Sequence, residues 1–398
     1  MRSWPAVDVP RVAGAPERLR VYDSSRREVV PLDVDGEARL YVCGITPYDA
    51  THLGHAATYL AYDLLHRQWL DRGIRVSYAQ NVTDVDDPLL DRARATGEPW
   101  ADLAERETEL FREDMHVLRI LPPQHFVGVV ESLPEVAEVV KQLGPAAYAV
   151  DDDIYLDVHA DKDFGSVAHL DQSTMVELFA ERGGDPKRPG KRDPLDCLVW
   201  RAPRPDEPSW ETAIGPGRPG WHVECAAIGL QYLGAAFDVQ GGGSDLLFPH
   251  HDMCASHVRL ATGQPAAKVY MHAGMVGYRG EKMSKSLGNL VLVSALRGHD
   301  PAAVRLALLA HHYRSDWEWT DADLAYAEAR LTRWRVALDR PTGPPSAPLI
   351  TRLRDELSND LNAPAALAAV DEWCASPGQE SDARLIRQAL DALLGVLI

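Results

Sequence analysis

A chain of 398 residues with 45% hydrophobic and 25% charged side chains has length for two or three domains around a packed core, which excludes a disordered protein. Its formal net charge of -18 has the wrong sign for a protein devoted to gripping a nucleic-acid backbone, and five cysteines, an odd number without a framework, argue against a secreted disulfide scaffold. No apolar run reaches the roughly 18 residues of a membrane span, and Met1-Arg-Ser-Trp-Pro5 lacks the pattern of a signal peptide, so a cytoplasmic location without a membrane partner is expected.

Residues 1–36 read as an extended lead-in, with a possible hairpin from Leu19–Tyr22 to Val29-Val30. Leu40 to Cys43 is a short apolar strand that runs into a Gly/Pro-punctuated turn. The turn opens an amphipathic helix with Leu60, Leu64, Leu65 and Trp69 at helical spacing. The first N–H groups of a helix are unpaired and its dipole favours anions, so this helix start suits a phosphate. His52 and His55 add donors, and Gly54 leaves room for a nucleotide. On this stretch alone, an ordinary βα turn with two surface histidines is an equal alternative.

Arg75 to Gln80 reads as a second strand, ending in Asn81-Val82-Thr83-Asp84. Ligands of open α/β sheets sit at the carboxyl ends of strands, which makes Asn81, Thr83 and Asp84 candidates for substrate contact. The same loop also supplies Asp87-Pro88 as cap and first residue of the next helix. From Glu98 to Leu143 the chain is helical in period, and Tyr148 to Val158 reads as a strand carrying the acidic triple Asp151-Asp152-Asp153, a solvated turn rather than a metal site. Ser173 to Arg182 is a short helix closed by Gly183-Gly184. After Asp193 to Trp200, a Pro/Gly-rich loop ends in Gly220-Trp221-His222-Val223-Glu224-Cys225. A helix (Ala226 to Tyr232) and a strand (Phe237 to Gln240) follow, and here the parallel sheet is expected to close. Gly241, Gly242 and Gly243, read as lying beyond that strand, would let the backbone close on a ligand. Lys282 and Lys285 lie in a loop between Gly280 and Gly288. Cations beside a phosphate site suit nucleotidyl transfer, because the leaving pyrophosphate gains charge. Residues 301–398 read as helices rich in Ala and Leu.

His52-Leu-Gly-His55 and Lys282-Met-Ser-Lys285-Ser286, about 230 residues apart, resemble the two ATP motifs of class I aminoacyl-tRNA synthetases. Tyr41-Val-Cys43-Gly44, Trp221-His-Val-Glu-Cys225 and Gly242-Gly-Ser-Asp-Leu-Leu-Phe-Pro-His250-His251 are similar to cysteinyl-tRNA synthetases, across roughly residues 20–320. The resemblance implies an α/β class I synthetase-type Rossmann fold with a connective insertion and a C-terminal α-helical domain. The expected divisions are 1–120 and 196–265 for the halves of the catalytic domain, 121–195 for the insertion, 266–310 for the Lys282 loop region and 311–398 for the helices. It implies catalytic roles for His52, His55, Lys282 and Lys285. Around the adenylate it places Cys43, Gly44, Ile45, Thr46, Thr58, Asn81, Val82, Thr83, Trp221, Gly243, Ser244, Asp245 and Val276. Zn2+ on Cys43, Cys225 and His250, and ATP with Mg2+ as substrate, are implied likewise; each cysteine read alone is a small buried hydrophobe.

Two departures bear on the substrate. Those synthetases continue His-His-Glu-Asn-Glu, whereas this chain has His250-His-Asp-Met-Cys254, so Cys254 stands where a metal-side Glu is expected. If a helix follows Pro249, Cys254 lies one turn beyond His250 and is a possible fourth ligand; an open position is preferred, because cysteine activation needs it. Second, the chain stops at Ile398, and residues 341–398 hold Arg352, Arg354, Arg384 and Arg387 against eight Asp and Glu, a poor anticodon grip. Both departures resemble the mycothiol cysteine ligases, truncated relatives of those synthetases, and Glu181-Arg-Gly-Gly-Asp-Pro186 matches a motif of that family. The implied function is ATP-dependent activation of L-cysteine as cysteinyl-AMP and its transfer to the amine of glucosaminyl-inositol, giving an amide, AMP and pyrophosphate. A compact cysteinyl-tRNA synthetase is the alternative, and an idle zinc-binding homologue is disfavoured by the intact ATP motifs. The expected partners are L-cysteine, ATP and an amino-sugar inositol, with no tRNA and a monomeric chain.

Overall fold

The computed structural model of the protein describes residues 1–14, 16–283, 288–380 and 382–398. Strands β1 (Arg20–Asp23) and β2 (Glu28–Pro31) form the expected antiparallel hairpin. Strand β3 (Glu37–Ile45), helix α1 (Leu53–Asp71) and strand β4 (Arg75–Val82) make the first crossover, with β3 and β4 parallel. Helix α2 (Asp87–Thr96) is capped not by Asp87, as expected, but by the Asp86 side chain, which accepts from the Asp87 N–H, so that Asp87 and Pro88 are its first two residues; it ends on left-handed Gly97. Helix α3 (Trp100–Val117) precedes β5 (His125–Gly128), which pairs parallel with β4. This strand lies inside the stretch read as wholly helical; four residues between long charged helices are too few for a period-2 signal.

Next come α4 (Leu133–Gln142), β6 (Ala147–Val150), β7 (Asp153–Leu156), α5 (Gln172–Glu181), β8 (Cys197–Arg201) and β9 (Arg218–Pro219). Strands β6 to β9 form their own antiparallel sheet, in that order. The expected strand over 148–158 is therefore a hairpin, turning at Asp151 with φ 52°. Strands β8 and β9, which follow the expected insertion boundary at 195, belong to this antiparallel sheet and not to the parallel one.

Helix α6 (Trp221–Leu233), β10 (Phe237–Gly243), α7 (Asp252–Thr262) and β11 (Ala267–Ala273) complete a five-stranded parallel sheet, ordered β11-β10-β3-β4-β5. The sheet thus does not close at β10, and β11 is its edge. Beyond it, β12 (Val276–Tyr278) pairs with β13 (Glu281–Lys282); α8 (Pro301–Leu309) follows, then β14 (Trp317–Trp319), which pairs parallel with β12. Helices α9 (Asp321–Leu338), α10 (Ser346–Ser358), α11 (Ala363–Ala375) and α12 (Ala383–Leu394) end the chain.

These last helices share one core with the sheet: Leu331, Trp334, Leu353 and Leu390 belong to the same apolar cluster as Leu40, Val42, Leu64 and Trp69. Helix α1 is consequently buried on most sides, although its sequence reads as amphipathic. Its Asp63 accepts from Arg67 Nε at 2.8 Å and from the Leu121 N–H at 2.9 Å, and pairs with Arg305 of α8. Arg67 and Arg305 in turn donate to the carbonyls of Asp391 and Leu394, which ties α1, α8 and α12 together through one buried polar network. Among the described residues, no helix is long and apolar enough to cross a membrane.

Candidate active site

Strands β3 and β10 are neighbours, but their crossovers leave toward opposite edges of the sheet, so their carboxyl ends open a crevice at the switch point. A cavity of about 390 Å³ fills it. Cys43, at the end of β3, lines this cavity, and its ligand atom and those of Cys225 from the second turn of α6 and His250 just ahead of α7 all lie within 4.8 Å of one another. All three side chains are buried. His250 Nε2 is buried without a hydrogen-bond partner, while Nδ1 lies 3.0 Å from His222 Nδ1. A buried nitrogen left unpaired is costly, and two sulfurs beside it form a donor set that fits zinc.

Cys254 stands outside this trio. Helix α7 begins only at Asp252, after a kinked turn, and the Cys254 thiol donates to the His222 carbonyl at 3.2 Å. A relay that the sequence did not disclose backs Cys43 instead. Cys43 Sγ lies 3.3 Å from His251 Nε2, His251 Nδ1 lies 2.8 Å from His272 Nε2, and His272 Nδ1 lies 2.7 Å from Ser24 Oγ. Burial holds His251 well below its ordinary pKa and takes His272 down to about 3, so both rings are neutral near pH 7.

The opposite wall is the start of α1. His52 caps this helix through Nδ1, which accepts from the Gly54 N–H at 3.1 Å, and its ring stacks on His55 with centroids 3.9 Å apart. The Leu53 N–H donates to the Val291 carbonyl at 2.9 Å. Two of the helix-start donors expected for phosphate are thus engaged within the protein. The positive end of the dipole and the two imidazoles remain as the phosphate-facing features. Thr58 Oγ1 donates to the Gly54 carbonyl at 3.1 Å on the same wall. Lys282 is on β13, paired with Gly277, and Lys285 lies outside the described residues.

Of the residues expected around an adenylate, Cys43, Gly44, Ile45, Thr46, Thr58, Trp221, Gly243, Asp245 and Val276 line the cavity. Asn81, Val82 and Thr83 lie beneath it, and Ser244 is not part of the lining. Asn81 Oδ1 accepts from the Gly44 N–H at 2.7 Å, Asn81 Nδ2 donates to Thr83 Oγ1 at 3.1 Å, and the Thr83 N–H donates to the Ile45 carbonyl at 2.9 Å. These residues brace the turn after β3. A Cβ on Gly44 would stand 1.6 Å from the Asn81 carbonyl oxygen, so only glycine fits against that brace. The three glycines of β10 also differ from the expectation. Gly241 and Gly242 lie within the strand and pack on Tyr62 and on Leu246 with His251, leaving Gly243 alone to border the cavity.

The 181–186 motif acquires a contact. Arg182 Nη1 donates to the carbonyls of Asp245 and Phe248, clamping the segment that carries Asp245 to His250. Asp185 accepts from Tyr155 at 2.5 Å and from Lys191 at 3.0 Å, which anchors the turn to the insertion. Beside it a second cavity of about 620 Å³ adjoins the first, and the two share Thr46, Tyr48, Trp221, Asp245 and Leu246. The Trp221 ring lies 4.5 Å from that of His250 at this junction.

Fold and crevice together define a class: a class I synthetase catalytic domain. Residues 29–329 match the family described as tRNA synthetases class I (C) catalytic domain. Methionyl-tRNA synthetase of Mycobacterium tuberculosis, solved with methionyl-adenylate, superposes with a TM-score of 0.65 over 91% of this chain and 92% of its own, at 17% identity, a likeness of fold. The L-cysteine:1D-myo-inositol 2-amino-2-deoxy-alpha-D-glucopyranoside ligase of Thermomonospora curvata is 59% identical over the full length of both chains. That of Streptomyces coelicolor is 58% identical, again over both whole chains. The chain belongs to this ligase family.

Proposed function

We propose that the first cavity performs both half-reactions of a cysteine ligase. The chain is an ATP-dependent carbon–nitrogen ligase that joins L-cysteine to the amine of 1D-myo-inositol 2-amino-2-deoxy-α-D-glucopyranoside in mycothiol biosynthesis. The carrying observation is the convergence of Cys225 and His250 on Cys43, which lines a crevice whose other wall is the His52–His55 pair.

In the first half-reaction a cysteine carboxylate oxygen attacks the α-phosphorus of ATP, supplied with Mg2+; the bond to the β-phosphate oxygen breaks and pyrophosphate leaves. His52 and His55 stand at the positive end of α1, where they steady the phosphate charge that grows in the transition state; Lys282 and Lys285 are assigned the same task. Gly44, braced by Asn81, lets the backbone of the turn approach the cysteinyl group. Zinc held by Cys43, Cys225 and His250 would bind the substrate thiolate at an open fourth position. In the second half-reaction the acceptor nitrogen bonds to the acyl carbon and AMP leaves. Ordered access of a small amine, not of tRNA, is the reading supported by the full-length relatives, whose names specify the amino-sugar ligase.

Cysteine-dependent ATP–pyrophosphate exchange without any acceptor is expected, with AMP release only when the amino sugar is added. Charging of tRNA by the purified chain would instead support the compact cysteinyl-tRNA synthetase.

A further inference from the structure

The second cavity has walls from three places: the start of α2, the 181–185 turn, and β8 with β9. His52, Gly54 and His55 border only the first cavity, while Asp86, Asp87, Arg182 and Arg218 border only the second. The two meet at Thr46, Tyr48, Trp221, Asp245 and Leu246, beside the place that would hold the cysteinyl group. With the nucleotide on the histidine side, the acyl carbon can be reached from the second cavity without displacing the adenylate. At about 620 Å³ the space suits a molecule of two six-membered rings.

Its charges specify the chemistry. Six carboxylates (Asp86, Asp87, Asp91, Glu181, Asp185, Asp245) face three guanidinium groups, those of Arg182, Arg201 and Arg218. The guanidiniums are engaged: Arg201 and Arg218 on Asp87 and Glu207, Arg182 on backbone carbonyls. Asp185 and Asp91 are paired with Lys191 and Arg94. Asp86 differs. Its Oδ1 accepts from the Asp87 N–H at 2.8 Å, and its Oδ2 carries no hydrogen bond from a described residue. Such a lining repels a phosphate backbone and suits uncharged hydroxyls with one cation.

We propose that this second cavity is the acceptor subsite, holding a polyhydroxylated amino sugar whose ammonium is received by Asp86 and whose amine is delivered past Trp221 to the acyl carbon. The assignment rests on the ligase reading of the first cavity. The ammonium gives one proton to Asp86 and its lone pair then attacks the acyl carbon. The C–N bond forms, the bond from the acyl carbon to the phosphate oxygen breaks, AMP keeps that electron pair, and the second nitrogen proton passes to solvent.

The test compares wild type with Asp86→Asn, which keeps a competent helix cap, and with Asp91→Lys on the exposed rim. Steady-state amide formation with the amino-sugar inositol is measured beside cysteine-dependent pyrophosphate exchange and inhibition by the N-acetylated acceptor, which carries no ammonium. Loss of one charge-assisted hydrogen bond predicts a rise of about 10–100-fold in acceptor KM for Asp86→Asn. A smaller rise of about threefold is expected for Asp91→Lys, on the scale of a rim charge. Exchange stays within about twofold of wild type in both, and the N-acetyl compound inhibits all three proteins equally; a general loosening of the fold would move both readouts. An unchanged acceptor KM in both variants overturns the subsite, and an equal loss of N-acetyl inhibition in Asp86→Asn overturns the ammonium contact. Failure of the ligase reading is visible separately, as wild type that shows no exchange with cysteine.

Discussion

Cysteine and serine differ at one atom, and a small pocket separates such side chains by only about 1–3 kcal/mol. The cluster of Cys43, Cys225 and His250 supplies a stronger criterion, since a metal on two sulfurs and an imidazole prefers thiolate over a neutral hydroxyl. Cys225→Ala is expected to lower bound zinc from about one equivalent toward zero. Discrimination against serine should then fall to the about 10–200-fold that pocket contacts provide. X-ray absorption at the zinc edge checks the open position: adding cysteine gains one sulfur neighbour, and an unchanged shell would sink the idea. At the other wall, His55→Ala should slow adenylation by about 10²–10³, the scale of one preorganised contact to developing charge. Cysteine affinity should change far less, because His55 stands on the phosphate side. Pyrophosphate exchange at saturating cysteine measures this, and a rate near wild type would remove His55 from the reaction.

Elements place these residues, and the turn after α5 shows how. Arg182 reaches from the insertion to two carbonyls in the 245–248 segment, so the position of His250 depends on a contact between separate parts of the chain. Arg182→Ala leaves both carbonyls without that donor, at a cost of about 1–3 kcal/mol. A fall of about 10–100-fold in kcat/KM for cysteine is expected, as for loss of support around a metal ligand. Zinc content, titrated against a chromogenic chelator, should drop in parallel. Arg182→Lys should recover part of both, since an ammonium reaches one carbonyl but lacks the planar fork that spans two. Full activity and full zinc in Arg182→Ala would show that the clamp is dispensable.

For the whole molecule, the buried pair of Asp63 with Arg67 and Arg305 joins the catalytic sheet to the terminal helices. Burial alone would raise the Asp63 carboxyl, but Arg305 and Arg67 beside it bring its pKa below the ordinary value. Burial takes Arg305 down to about 10, so it stays charged at neutral pH. A carboxyl whose pKa is depressed by folding stabilises the protein above its unfolded value of about 3.9, and that contribution is lost as pH falls from there through the folded value. Asp63→Asn leaves two buried guanidiniums without their anion and should cost about 3–5 kcal/mol in urea unfolding at pH 7. The difference from wild type should shrink on acidification below about pH 4. A loss under 1 kcal/mol at pH 7 would mean that the backbone carbonyls alone satisfy Arg67 and Arg305.

Local chemistry was legible in the sequence wherever a short stretch carries its own signal. The β3 turn and α1 show apolar spacing, and α5 its terminal glycine, because periodicity and caps act within a few residues; the cap of α2 is Asp86, one residue ahead of the expected Asp87, and the capping role of His52 was not among the expectations. The resemblance named the family that the full-length relatives show. Tertiary structure alone decided what is made by residues far apart in the chain. It placed β5 and β11 as short strands in a sheet whose order no local pattern states. It turned Asn81 and Thr83 under the crevice as a brace, since a buried carboxamide takes its partners where the Gly44 backbone passes. It directed Cys254 to a carbonyl of α6 and backed Cys43 with His251 instead. And it buried α1 on most sides, because the terminal helices cover the face that its sequence alone would leave to water.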